Sequence, residues 1–248
     1  MSAIYNLSRG KHSQYEGSHP LRQSLWKNES LVFLSYNYAF SPKLSLRSRV
    51  GVDWLQYRLH GCEKFSKLSP RVNLNFQYQL KGGMLLWSSS YNNYNYGMDL
   101  INQARIELNP YLVQTGNPNL KSGCSFNSFL YYSGKIKKTG LSAILQYKLE
   151  HNPVVHDYYV QDTYLVRSFI NRGNIHYYAA ILAASHSFNR MFSLSGDIRY
   201  NYTSVHSVCS FGNRNLTGNL NANVYLGDFS LSPYVNFRNV SFQNWRID

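Results

Sequence analysis

The sequence predicts an all-β chain: an antiparallel up-and-down transmembrane β-barrel with about ten strands present. Three observations carry this reading. Apolar and polar residues alternate with period two over long stretches, a pattern that a helix would scatter around its whole circumference. The stretches are mostly 10 to 16 residues long, whereas globular strands average about 5–6 and tilted membrane strands need about 9–11 inside lipid. The connections between them are short and long in turn, the layout of outer-membrane barrels with tight turns at one end and extended loops at the other.

Taken in order, residues 1–28 precede the first clear alternation and read as an N-terminal segment or external loop, with 29–248 as the barrel region. Strand 30–40 places Val32, Leu34, Tyr36, Tyr38 and Phe40 on one face, and strand 43–57 does the same with Leu44, Leu46, Val50, Val52 and Trp54. Strand 70–81 contains RVNLNFQYQL, in which Val72, Leu74, Phe76, Tyr78 and Leu80 alternate with Arg71, Asn73, Asn75, Gln77 and Gln79. Strands 84–95 and 122–134 follow, then 140–150 with Leu141, Ala143, Leu145, Tyr147 and Leu149, then 173–188. In 191–204, Phe192, Leu194, Gly196, Ile198, Tyr200 and Tyr202 oppose Ser193, Ser195, Asp197, Arg199 and Asn201. In 215–226, Leu216, Leu220, Ala222, Val224 and Leu226 oppose a row rich in Asn, and 229–242 is the last strand.

The short connections (Ser41-Pro42, Lys81-Gly82-Gly83, 135–139, Asn189-Arg190, Gly227-Asp228) carry hairpin-turn residues. The long ones are 58–69, 96–121, 151–172 and 205–214. A face of Asn, Ser, Gln and Arg suits a watered lumen. The Tyr pairs near strand ends (Tyr94 and Tyr96, Tyr131 and Tyr132, Tyr177 and Tyr178, Tyr200 and Tyr202) suit interfacial girdles. The alternative is a soluble β-sandwich or solenoid with a Tyr-rich core.

Composition narrows the function classes. The 248 residues carry a formal net charge of +13, but the basic residues are scattered, and Lys135-Ile136-Lys137-Lys138 falls in a turn. A nucleic-acid surface needs basic and aromatic residues interleaved on one face; Arg47 and Arg49 sit opposite Trp54, and lumenal arginines account for them equally well. Cys62, Cys124 and Cys209 have neither disulfide nor zinc spacing and read as free thiols. No Ser/His/Asp set is placed by spacing, so no catalytic residue, cofactor or metal site is expected, and the chain is not expected to be an enzyme. His151, His156 and Asp157 share one external loop and are the weak candidates for a metal or ligand; solvated polar text is the plainer reading of them.

One stretch is more specific. In NPYLVQTGNPNL, two Asn-Pro pairs flank Thr115-Gly116. The residue before each Pro is pushed out of the α region, and Gly116 permits a left-handed turn, so 109–120 reads as a shaped loop that is neither helix nor regular strand. Leu108-Asn109-Pro110-Tyr111 followed by Gly116-Asn117-Pro118-Asn119-Leu120-Lys121 resembles the "LNPF … GNPNLKPE" signature of TonB-dependent receptors and their outer-membrane β-barrel relatives in the Bacteroidetes. Asn171-Arg172-Gly173-Asn174 and the later FSLSGDIRYNY are similar to a further segment of that family. Ser122-Gly123 stand where the family usually has Pro-Glu.

The resemblance implies a role in nutrient uptake, with an iron chelate, cobalamin or a glycan as substrate, in the bacterial outer membrane. It gives Asn109, Pro110, Tyr111, Gly116, Asn117, Pro118, Asn119 and Leu120 a structural role as the family-motif loop. No signal peptide, plug or TonB-box text is found in these residues, and family barrels have about 22 strands. The expectation is therefore a partial barrel, inactive alone, whose partners are outer-membrane lipid and the remaining strands and plug of a larger barrel. TonB would engage only through the missing region, and no nucleic acid is expected. The alternative is a small passive or structural porin-like barrel. A circular-dichroism spectrum in detergent should be dominated by β-structure, and a helix-dominated one would remove this reading.

Overall fold

The structure, a computed structural model, describes residues 2–16, 19–59, 64–94, 97–101, 103, 105–206, 209–238 and 242–247. The elements in chain order are β1 (Ser2–Glu16), β2 (His19–Ser41), β3 (Leu44–Leu59), β4 (Phe65–Leu80), β5 (Gly83–Tyr94), α1 (Met98–Ile101), β6 (Ile106–Asn109), β7 (Leu112–Gln114), β8 (Gly123–Ile136), β9 (Thr139–His151), β10 (Val154–Gln161), β11 (Tyr164–Asn171), β12 (Asn174–Ser187), β13 (Phe192–His206), β14 (Cys209–Leu226), β15 (Phe229–Leu231), β16 (Tyr234–Arg238) and β17 (Phe242–Ile247). One sheet runs β1-β2-β3-β4-β5-β8-β9-β12-β13-β14, all antiparallel, and β15, β16 and β17 line up in succession along β14 as an eleventh position. The sheet is not closed. A second sheet, β10-β11-β7-β6, is built from two of the long connections.

The turn positions disclose the geometry of the wall. Through the register, Leu44 at the β2–β3 turn is level with Gly218 of β14, Leu80 with Leu220, and Ile136 with Ala222. The β14–β15 turn follows Leu226. From Gly218 to Leu226 is eight residues, accumulated over the eight inter-strand steps from β2 to β14. One residue of stagger per step, at about 3.3 Å rise and about 4.8 Å spacing, corresponds to strands tilted by about 35°, the tilt of a barrel wall. Each residue then adds about 2.7 Å of height.

The two faces separate as the alternation requires. Cross-strand rows such as Tyr38–Leu46–Phe76–Trp87–Leu130–Leu145 line one face, and Leu34, Leu145, Leu182, Ile198 and Leu220 on it are half or more exposed. The opposite face carries Asn37–Arg47–Asn75–Ser88 and Asn201–Asn215, and its hollows make it the concave side. Glu29, Asp53, Glu150 and Asp197, the described carboxylates of the main sheet's strands, all occupy concave-face positions.

Several expectations are corrected. Residues 1–28 are largely strand: β1 is a strand, β2 begins at His19, and β1 pairs with β2 as far as Phe33. Strand 30–40, the later part of β2, lies between β1 and β3. Connections 58–69 and 205–214 are mostly strand, because their hairpins climb beyond the alternating core. The last strand is broken at Ser232-Pro233, where proline supplies no N–H to the ladder. Of the Tyr pairs, Tyr178 and Tyr132 face outward while Tyr177 and Tyr131 face inward, since adjacent residues cannot share a face. Tyr177 donates instead to Asn201 Oδ1 at 2.8 Å. Tyr96 lies outside the described residues. The concave face is also less polar than its sequence reading, because Leu86, Tyr131, Ile144 and Ile181 form a row across its middle.

Leu220 is 50% exposed on the outward face and Asn221 faces inward. Leu220→Arg should destabilise the folded wall by about 2–4 kcal/mol near the bilayer midplane, and Asn221→Arg far less. A lipid refolding titration measures both, and equal tolerance at the two positions contradicts the orientation.

Candidate functional site

The concave wall and the loops folded over one end of it make up the site. Alternation in β3 and β4 brings Arg47, Arg49, Arg71, Asn73 and Asn75 to one polar hollow of about 550 Å3, joined by Asn37 of β2. Arg71 Nη2 donates to Asp53 Oδ2 at 2.7 Å. Asp53 is 1% exposed, and its Oδ1, like Arg71 Nε, meets no partner among the described residues. Arg49 lies over the Phe33 ring at 4.5 Å. Among the described residues neither Arg47 nor Arg49 is paired with a carboxylate. The hollow thus offers two uncommitted guanidiniums amid amide groups, a surface suited to oxyanions and to hydroxyl-rich solutes. A second hollow, of about 570 Å3, lies further round the wall. There Asp197 accepts from Arg199 Nε at 2.8 Å and from Asn219, and Arg238 stands nearby.

The loop end is closed inward. The motif loop is a compact device: in both Asn-Pro pairs the Asn Oδ1 accepts the backbone N–H two residues on, Asn109 from Tyr111 and Asn117 from Asn119, each at 2.9 Å. Asn117 also donates through its backbone N–H to Leu100 O and through Nδ2 to Phe169 O, both at 2.8 Å. Asn171 accepts from Lys121 N at 2.6 Å and donates to Lys121 O and Asn152 O. Leu120 (3% exposed) packs with Ile101 and Phe169 into a small core, against which Tyr57, Leu100 and Val154 lie. Tyr57 belongs to the concave face of β3, so this cap leans over the mouth of the wall.

The sequence reading is partly corrected here. The centre of 109–120 is regular: Leu112–Gln114 pairs in parallel with β11, and Val113 is 1% exposed. Gly116 is buried and is not among the residues of positive φ; Gly173 (76°) and Asn152 (52°) are, where the cap rejoins β12 and leaves β9. Tyr111 projects from the cap, 77% exposed, and Pro110, Pro118 and Asn119 complete its turns.

The His candidates take separate places. His151 Nδ1 meets Asn174 Oδ1 at 2.7 Å, and His156 lies 5.1 Å from the Phe169 ring. Asp157, its chain neighbour, points to the other face of β10. Among the described residues no three His, Cys, Asp or Glu side chains cluster to hold a metal. Cys124 is a free thiol; Cys62 and the side chain of Cys209 lie outside the description.

The chain is similar in fold to solved outer-membrane β-barrel transporters. The copper transporter OprC matches over 98% of this chain and 44% of its own, with a TM-score of 0.59 at 10% identity. The siderophore receptor PirA from Pseudomonas aeruginosa matches over 98% and 51%, at 0.58 and 10%. The FrpB iron transporter from Neisseria meningitidis matches over 92% and 39%, at 0.55 and 9%. This chain therefore spans about half or less of the length of these proteins. No protein-family model matches it, and no curated protein is similar to it in sequence.

Two substitutions probe the site. Arg71→Ala strands the buried Asp53 carboxylate and should cost about 3–5 kcal/mol, whereas the double change Asp53→Leu with Arg71→Met should come much closer to wild type. Denaturant unfolding of wild type and the two variants gives the comparison. Asn117→Ala should loosen the cap by about 1–3 kcal/mol, read as faster amide exchange at 100–120 and 165–171 with β12–β14 unchanged.

Proposed function

We propose that this chain forms part of the wall of a TonB-dependent receptor in the bacterial outer membrane, of the Bacteroidetes branch, which imports a scarce nutrient such as an iron chelate, cobalamin or a glycan. The observation that carries the reading is the staggered two-faced wall whose loop end folds inward above a polar concave surface. A lipid-facing side, a solute-facing side and a cap over the mouth are what selective passage requires. The fold shared with a copper transporter, an iron transporter and a siderophore receptor supports it. In this reading Arg47 and Arg49 contact the solute from the wall, the motif loop from Asn109 to Leu120 holds the cap in place, and His151, His156 and Asp157 contribute at most peripheral loop contacts.

The chain is inactive alone. Import of this kind needs a plug to gate the lumen and a segment that engages TonB, and both act from outside these residues. The partners are therefore outer-membrane lipid and the remaining strands and plug of a larger barrel. Expressing residues 1–248 behind an added signal peptide should place a protease-protected wall in outer membranes that conducts no ions. A stable conducting monomer would refute the partial-wall reading and favour a small passive porin-like barrel.

A further inference from the structure

The outward face changes character toward the loop end. Tyr147 of β9, Tyr178 of β12 and Tyr202 of β13 are cross-strand neighbours in one row, with ring centroids 5.0 Å apart for the first pair and 5.9 Å for the second. Arg214 of β14 continues the row and places its guanidinium 5.6 Å from the Tyr202 ring. The Tyr202 ring also lies across Gly212, which has no side chain to displace it. Directly above, His176 Nδ1 meets the Tyr147 hydroxyl at 3.0 Å, the His176 and His206 rings stand 5.5 Å apart edge to face, and His206 Nε2 meets Ser204 Oγ at 3.1 Å.

The height of this cluster is set by the register. Tyr147 is eight residues beyond Thr139, Tyr202 ten beyond Phe192, and Arg214 twelve before Leu226. At about 2.7 Å per residue these fall at about 22, 27 and 32 Å above the short turns, where the lipid-facing apolar band of about 25 Å ends. Below the cluster the outward face is Leu145, Leu182, Ile198 and Leu220. No carboxylate among the described side chains of the main sheet shares the outward face. Among those side chains only Arg58 and Arg214 are outward arginines. Arg214 stands at this rim beside Tyr202, whereas Arg58, opposite Trp26, which Lys64 covers at 5.6 Å, lies higher, fourteen residues beyond Leu44.

We propose that Arg214, His176 and His206, on the shelf of Tyr147, Tyr178 and Tyr202, form a binding site for the phosphate of an anionic membrane-lipid headgroup, with the acyl chains descending over β12–β14. This rests on the reading of the sheet as a transmembrane wall. Guanidinium and imidazole N–H groups supply donors to the phosphate oxygens, and the rings hold the glycerol backbone at the interface. The occupant is a lipid rather than a soluble phosphate ester, because the site opens sideways above an apolar surface and has no walls of its own.

The test uses the full chain in nanodiscs of phosphatidylcholine containing phosphatidylglycerol, with retained lipid counted by native mass spectrometry after mild detergent release. Protease protection of β12–β14 is measured on the same samples. Wild type should retain phosphatidylglycerol over phosphatidylcholine. The double variant Arg214→Gln with His206→Gln should lose at least tenfold of that preference while remaining protected, and Arg199→Gln on the concave face should keep it. Glycerol 1-phosphate added to 10-fold excess over lipid should not displace the retained lipid. Unprotected strands would remove the wall reading and the site with it. Protected strands with the preference unchanged in the double variant, or lost equally in Arg199→Gln, would overturn the site alone. Displacement by glycerol 1-phosphate would assign the cluster to soluble phosphate esters and overturn the lipid assignment.

Discussion

Hydrocarbon offers a peptide group no hydrogen-bond partner, and an unsatisfied N–H or C=O there costs several kcal/mol. Between its two open edges the main sheet meets that demand with neighbouring strands. Continuous antiparallel pairing from β1 to β14 fixes which residues sit side by side. Pairing fixes the faces, because successive side chains point to opposite sides. The faces then divide the labour: Leu, Val and Ile on one side, guanidinium, amide and hydroxyl groups on the other. Charge follows the same division, with the described carboxylates of the wall turned inward.

Sequence and structure agree most closely where the two faces of a strand differ most in polarity. In RVNLNFQYQL a slip of one residue would exchange Val72, Leu74 and Phe76 for Arg71, Asn73 and Asn75, so the text determines which face each residue takes, and the flanking turns fix the register. The turn after Leu226 was legible for a related reason: Gly227 adopts φ 61°, a conformation glycine takes without strain. Legibility fades above the membrane. Beyond Trp54 and before Ser69 one side of the hairpin packs beneath the cap, with Leu55 buried and Tyr57 against its core, so strict apolar–polar alternation is no longer enforced and its strand residues read as loop. The cap was least legible, because its small sheet joins β7 to β11 in parallel across more than fifty residues, a pairing that leaves no local periodicity. Both Asn-Pro turns could be seen in the sequence, while the reach of Asn117 to the Phe169 carbonyl could not.

The concave face shows the limits of compositional reading in another way. Its arginines belong to β3 and β4, its Asp197–Arg199 cluster to β13, and between them Leu86, Tyr131, Ile144 and Ile181 make a dry strip. The concave face thus carries two polar patches separated by an apolar row. The Arg71–Asp53 pair divides the basic patch further, fixing one guanidinium in the wall, whereas Arg47 and Arg49 have no carboxylate partner among the described residues.

The stagger of one residue per strand has an architectural corollary. A hairpin adds two strands and hence two residues of offset, an even number, so every side chain beyond it keeps its orientation toward lipid or lumen. Inserting a single strand would both reverse the chain direction and shift the offset by an odd count. Walls of this kind can therefore lengthen or shorten in evolution by whole hairpins, through duplication or loss of segments of roughly thirty residues such as β12–β13. The hairpin, rather than the single strand, is the unit whose addition preserves facing in this wall.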